Sequence, residues 1–173
     1  KGGYLIEFWL KPAVVALGVP LYLQLEAIKK QLVPILLSQL AGCIIGVVSV
    51  VVIAKLMGAP QEIIYSLAPK SVTTPIAMEV ADTLGGIPAL TAAVVVCVGL
   101  LGSIVGIKTL KLTRIKSPIA QGLSLGAAAH AVGTSTAMDI SSKYGAYASL
   151  GLTLNGIFTA LLTPTILRLL GLL

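Results

Sequence analysis

"LAPKSVTTPIAMEVAD", residues 67–82, decides how this chain is read. It sits between long apolar runs, yet it carries Lys70, Thr73, Thr74 and Pro75. A lysine is costly inside a membrane helix, and proline breaks a helix interior. At the start of a helix the same residues are at home. With Thr74 as N-cap and Pro75 at the first position, proline loses nothing, because that N–H has no intrahelical partner. The pattern therefore predicts a half-helix over about 60–68, unwound backbone over Lys70–Thr73, and a second half-helix from Pro75 to about Leu84.

Working outward, the chain has 173 residues, is 57% hydrophobic and 10% charged, and has a mean hydropathy of +1.02. Soluble domains are about 25% charged. A fold of this length cannot hide so much apolar surface from water. The expected class is an all-α integral membrane protein: a polytopic helical bundle with two repeated interrupted helices, either re-entrant or broken. The net charge of +6 is then an orientation signal, not a nucleic-acid one. Cys43 and Cys97 lie in apolar runs and read as packing residues, with no disulfide framework or zinc spacing. No cofactor or metal is expected. An enzyme is not expected either, since there is no Gly-x-Ser-x-Gly or His-Glu-x-x-His motif.

Leu32 to Ala54, Ile87 to Ile107 and Gly145 to Leu167 are free of charge and long enough to span, as about 20 residues cross the hydrocarbon core. Phe8 to Leu25 is a fourth, weaker span, interrupted near Pro20. The Gly42/Gly46 and Gly102/Gly106 pairs predict close helix packing. Asn155 lies in a charge-free span, placed to bond between helices or to reach a site.

A second punctuated stretch, "AAAHAVGTSTAMDISS" (127–142), repeats the first. A shift of 60 residues lays "SVTTPIAMEVADTLGGIPAL" (71–90) on "AVGTSTAMDISSKYGAYASL" (131–150). Lys70 then meets His130, Thr74 meets Thr134, and Glu79 meets Asp139. The reading is a single domain over 1–173 with an internal repeat, 60–110 and 120–170. The second break is predicted over His130 to Gly133, with a half-helix resuming at Thr134 or Ser135. Interrupted segments at matching positions point to a transporter's binding site. Two half-helix N-termini meeting near the midplane would attract an anion.

The candidate substrate-binding residues are Lys70, Ser71, Thr73, Thr74, His130, Gly133, Thr134 and Ser135. Glu79 and Asp139 are candidates for coupling to a proton or cation. Each has a plainer alternative. Lys70 could pair with Glu62 or Glu79, His130 could be a bonded core histidine, the hydroxyls could be caps, and the acids could simply favour helix N-termini.

"LKPAVVALGVPLY" (10–22), residues 67–102 and "SPIAQGLSLGAAAHAVGTSTAM" (117–138) resemble the CidB/LrgB family of holin-like and antiholin-like membrane proteins, across essentially the whole chain. The resemblance implies two functional traditions. One is regulation of murein hydrolase activity and cell lysis, with a small LrgA/CidA-type membrane partner. The other is carriage of small carboxylates, as in a plastid glycolate/glycerate exchanger and bacterial relatives that handle pyruvate. It also implies a multi-pass protein of the bacterial inner membrane, with about two further N-terminal spans in family members. The anion site favours a carrier of small hydroxy- or keto-carboxylates, with lysis regulation as the alternative. A homodimer in the lipid bilayer is expected by analogy with other carriers.

Each interrupted segment either crosses the membrane or returns as a hairpin. Hairpins place seven basic residues on the face of segment 26–31 and four opposite; crossing gives three against eight, which positive-inside counting slightly prefers. Hairpins alone make the repeats inverted, and half-helices of about 9–12 residues reach only the middle of the core. Hairpins are therefore the expectation.

Overall fold

The computed structural model describes Tyr22 and residues 25–173. The expected span Phe8–Leu25 lies almost wholly outside them. The described residues form seven helices: α1 (Leu25–Lys30), α2 (Leu32–Leu56), α3 (Gln61–Leu67), α4 (Thr74–Thr83), α5 (Pro88–Leu112), α6 (Pro118–Ile140) and α7 (Ser142–Leu169). Three of them, α2, α5 and α7, are 25, 25 and 28 residues long and apolar enough to cross a membrane. They coincide with the three charge-free runs. Their outward faces carry large apolar side chains such as Leu37, Ile45, Leu101, Ile104 and Leu161, as lipid-facing helices require. The chain is thus a helical membrane-protein bundle.

The helix directions follow from side-chain pairs. Cys43 of α2 meets Thr159 of α7, and Lys55 at the end of α2 donates to the Leu170 carbonyl. The two helices are therefore parallel. Call the face where they begin A and the face where they end B. A buried seam, Cys43, Val47, Val51, Ile166 and Leu167, runs between them toward B, where Tyr65 donates to the Leu172 carbonyl.

The segment 61–87 goes in and comes back. After α3, the backbone makes turns through Lys70 and Val72, whose N–H groups bond Leu67 and Pro69 carbonyls. Then α4 returns, and the Ile87 N–H bonds Ser66 Oγ at 2.7 Å, while Thr91 Oγ1 donates to the Ser66 carbonyl at 2.9 Å. Both ends of the segment therefore lie on the B side. The N-cap of α4 is Thr73, not Thr74, so Pro75 occupies the second helical position. Proline still loses nothing there, since the first four N–H groups are all unpaired.

The second segment corrects the expectation more deeply. The predicted four-residue break, His130 to Gly133, is a single residue. His130 has φ 43° and ψ −131°, and helical geometry resumes at once after it. One such residue is enough to reverse the chain. Gly133 lies against the Leu125 carbonyl and the Ala129 side chain. In a straight helix, residues eight apart are separated by roughly 12 Å. Half-helices 118–129 and 131–140 are thus antiparallel, and Met138 comes back to Gly145 near the start of α7. This second hairpin begins and ends on face A. The two hairpins start from opposite ends of the bundle, each followed by a long helix, α5 or α7.

The glycine pairs divide. A Cβ at Gly106 would strike Leu125 at 2.7 Å, and one at Gly102 would strike Ala129, so α5 and α6 do pack closely there. Gly42 and Gly46 face open space. Among the described residues nothing makes the close contact expected of them, and both line a cavity.

Candidate functional site

The cavity has a volume of about 580 Å³ and lies between α2, the tip of the first hairpin, the first half of α6, and α7. Gln31 and Ser117 stand at its A end, and Lys70, Ser71 and Thr159 stand deep within it. Among the described lining residues, Lys70 is the only charged one. Its Nζ donates to Ser71 Oγ at 3.0 Å, and among the described residues neither Glu62 nor Glu79 pairs with it. The lysine is half-buried, in a recess where a solute anion could reach it.

The depth of this point follows from Asn155, at the midpoint of α7. Its Nδ2 donates to the Ser71 carbonyl and to the Ala127 carbonyl, both at 2.9 Å. Ser71 belongs to the tip of the first hairpin and Ala127 to the last turn before the tip of the second. One amide group therefore ties the two tips together midway along a membrane-length helix. Asn155 thus does both things its position allowed: it bonds between helices and lines the cavity.

His130 takes another path. It is 3% exposed, does not line the cavity, and packs on Gly99 near the midpoint of α5. Its Nε2 lies 2.8 Å from the Val95 carbonyl. A carbonyl only accepts, so this nitrogen carries the ring proton. Val95 and Asn155 are 60 residues apart, and each holds a hairpin tip. A non-glycine residue at positive φ costs about 1–3 kcal/mol and persists only where its surroundings enforce it, and this hydrogen bond is one such restraint. His130→Ala should therefore lower the melting temperature in detergent. His130→Gly should recover part of that loss, because glycine adopts the backbone freely but lacks the ring.

The remaining sequence candidates scatter. Thr73 caps α4 by position, without a side-chain bond to its backbone. Thr74 begins that helix. Gly133 and Thr134 are buried, and Thr134 Oγ1 bonds the His130 carbonyl at 2.8 Å. Ser135, Glu79 and Asp139 are exposed and do not line the cavity. Of the eight proposed binding residues, only Lys70 and Ser71 line it. Gln39 was missed. It recurs with Ile35, Cys43 and Val47 at four-residue spacing on one face of α2, and a glutamine within a charge-free span was the available signal.

No solved structure matches the chain. A Bacillus subtilis (strain 168) protein named "Uncharacterized protein YwbG" is 41% identical over 166 residues, 96% of this chain and 74% of that protein. "Antiholin-like protein LrgB" of Bacillus mycoides (strain KBAB4) is 36% identical over 170 residues, 98% of this chain and 74% of its own length. The same name belongs to a Bacillus cereus (strain B4264) protein that is 35% identical over the same shares. The model of the LrgB-like family matches residues 1–169. By that match, and by these relatives, the chain belongs to the LrgB-like family.

Proposed function

We propose that the chain acts as an antiholin-like membrane protein. The observation that supports this best is the name borne by relatives at 35–36% identity over nearly the whole chain. In this reading it sits in the bacterial inner membrane and restrains murein hydrolase activity and lysis, alone or with a small LrgA/CidA-type partner. Face A carries Lys29, Lys30, Lys108, Lys111, Arg114, Lys116 and Lys143; among the described residues face B carries Lys55 and Arg168. Face A is then cytoplasmic. Deleting the gene should advance autolysis, and restoring it should reverse the effect. Identical lysis curves with and without it contradict the proposal.

The cavity favours a second reading, compatible with the first: carriage of a small hydroxy- or keto-carboxylate. Lys70 carries this reading, as the one charged lining residue among those described, in a recess reaching the level where both hairpin tips meet. Solute sites of secondary carriers sit at such meeting points. A second copy in a homodimer would supply a fixed scaffold. Coupling through Glu79 or Asp139 would have to act from outside the cavity. In liposomes, labelled glycolate uptake should fall at least about tenfold in Lys70→Ala, less than a fully desolvated charge would give, since Lys70 is half-exposed. Lys70→Arg should also impair uptake, because a planar fork does not replace a compact ammonium. Uptake by Lys70→Ala at the parent's rate sinks the carrier reading.

A further inference from the structure

The helices α2, α4, α5 and α7 end in the same way. One N–H reaches the carbonyl five residues back, and the N–H before it reaches the carbonyl three back. At the end of α2 these are Ala59 to Ala54 and Gly58 to Lys55; at the end of α5 they are Ile115 to Leu110 and Arg114 to Lys111. The closure needs one residue in the left-handed region, which glycine adopts without steric cost. Gly58, Gly85 and Gly171 supply it after α2, α4 and α7, with φ of 75°, 82° and 69°. After α5 the same position holds Arg114, with φ 61°. There the Cβ crowds the backbone. Strain kept where glycine would remove it points to a use for the side chain.

The surroundings indicate the use. Arg114, Lys108, Lys111 and Lys116 are all exposed, and no acidic residue lies between 108 and 116. Leu101, Ile104, Lys108 and Lys111 follow one another at spacings of three and four residues, so they share one stripe of α5. Leu101 and Ile104 are 62% and 66% exposed, on the least buried of the three membrane-length helices. Gly99, Gly102 and Gly106 carry the other side of α5 against α6. The outer face of α5 is therefore apolar along its length and cationic where it leaves the membrane. A phospholipid presents the complementary order, acyl chain and then phosphate. Membrane orientation alone would be served by a cation anywhere in this loop and does not call for one at the strained position.

We propose that Arg114, with Lys108 and Lys111, binds the phosphate of an anionic phospholipid in the face-A leaflet, whose acyl chains lie along Leu101 and Ile104. The guanidinium fork offers the phosphate two parallel N–H donors, and the lysines add compact charge. A zwitterionic lipid brings its own cation to the same place and gains less.

The test is lipid binding to the full chain in neutral detergent, with the retained phosphatidylglycerol or phosphatidylcholine read by native mass spectrometry. The parent should hold phosphatidylglycerol at least about fivefold more tightly, because each basic side chain at an anionic headgroup contributes about that factor. Arg114→Gly and Lys111→Gln should each lose about fivefold in phosphatidylglycerol affinity and leave phosphatidylcholine binding unchanged. Without added lipid, Arg114→Gly should melt no lower than the parent, since glycine relieves the backbone. Lys55→Gln, on face B, should bind as the parent does. A parent without the preference overturns the proposal, as does parent-like binding by Arg114→Gly. Equal losses in Lys55→Gln and Arg114→Gly also overturn it, because net charge alone then attracts the lipid. So does displacement of phosphatidylglycerol by an equal concentration of inorganic phosphate, which would make the cluster a site for a free anion.

Discussion

Gly126→Leu is expected to yield no folded protein. A Cβ at Gly126 would sit on the backbone carbonyl of Ala148, and backbone atoms cannot rotate away as a side-chain tip can. Gly122 has a similar neighbour, with a Cβ there 2.7 Å from the Tyr144 carbonyl. Together these glycines bring the first half of α6 against α7, the closest-packed pair among the described helices. Forcing them apart also pulls Ala127 from Asn155 and opens the core around Leu125, Ala137 and Ala148. Overpacking a core typically costs about 1–3 kcal/mol, and a clash with main chain lies at the upper end or beyond. The measurement is the monodisperse yield from detergent. Gly42→Leu is the matched control: its side chain enters open space, so it should fold normally and narrow the cavity. Equal yields from the two variants would show that α6 and α7 are not in close contact.

Asn155→Leu should destabilise the fold by about 2 kcal/mol. Each of two half-buried carbonyls loses its donor, at about 1 kcal/mol per neutral hydrogen bond, and membrane interiors give similar or smaller values. Asn155→Asp should be worse, although the side chain has the same shape. A carboxylate only accepts, and it would face two carbonyl oxygens. Melting in detergent should place the order parent, Asn155→Leu, Asn155→Asp. A parent-like melting point for Asn155→Asp would mean that the two hairpin tips are not joined there.

The apolar spans were legible because lipid imposes a simple requirement: enough consecutive apolar residues to cross. The first break was legible because Pro75 and its threonines leave few alternatives, and the boundary moved by one residue only. The extent of the second break was not. It contains no proline, and residues 131–134 have ordinary helical conformations, so nothing local marks a reversal made by His130 alone. The direction of the His130 ring depends on Val95, 35 residues away in sequence, and no pattern within the break encodes it. The glycine pairs show the same limit. Gly42/Gly46 and Gly102/Gly106 share a spacing, but whether a neighbouring helix is there is a tertiary fact. Lys70 stood out because charge within an apolar segment is conspicuous; Gln39 is neutral and was passed over.

Opposed hairpins are the central claim, since the cavity, the midplane meeting at Asn155 and the depth of Lys70 all follow from them. Single cysteines at Gln61, Gly86, Ser117 and Ser141, in a background with Cys43 and Cys97 replaced by serine, test it most directly. A membrane-impermeant maleimide applied to each face of oriented vesicles should label Gln61→Cys and Gly86→Cys from one face. It should label Ser117→Cys and Ser141→Cys from the other. Labelling of Gln61→Cys and Gly86→Cys from opposite faces would mean that the first segment crosses the membrane, and would contradict the account.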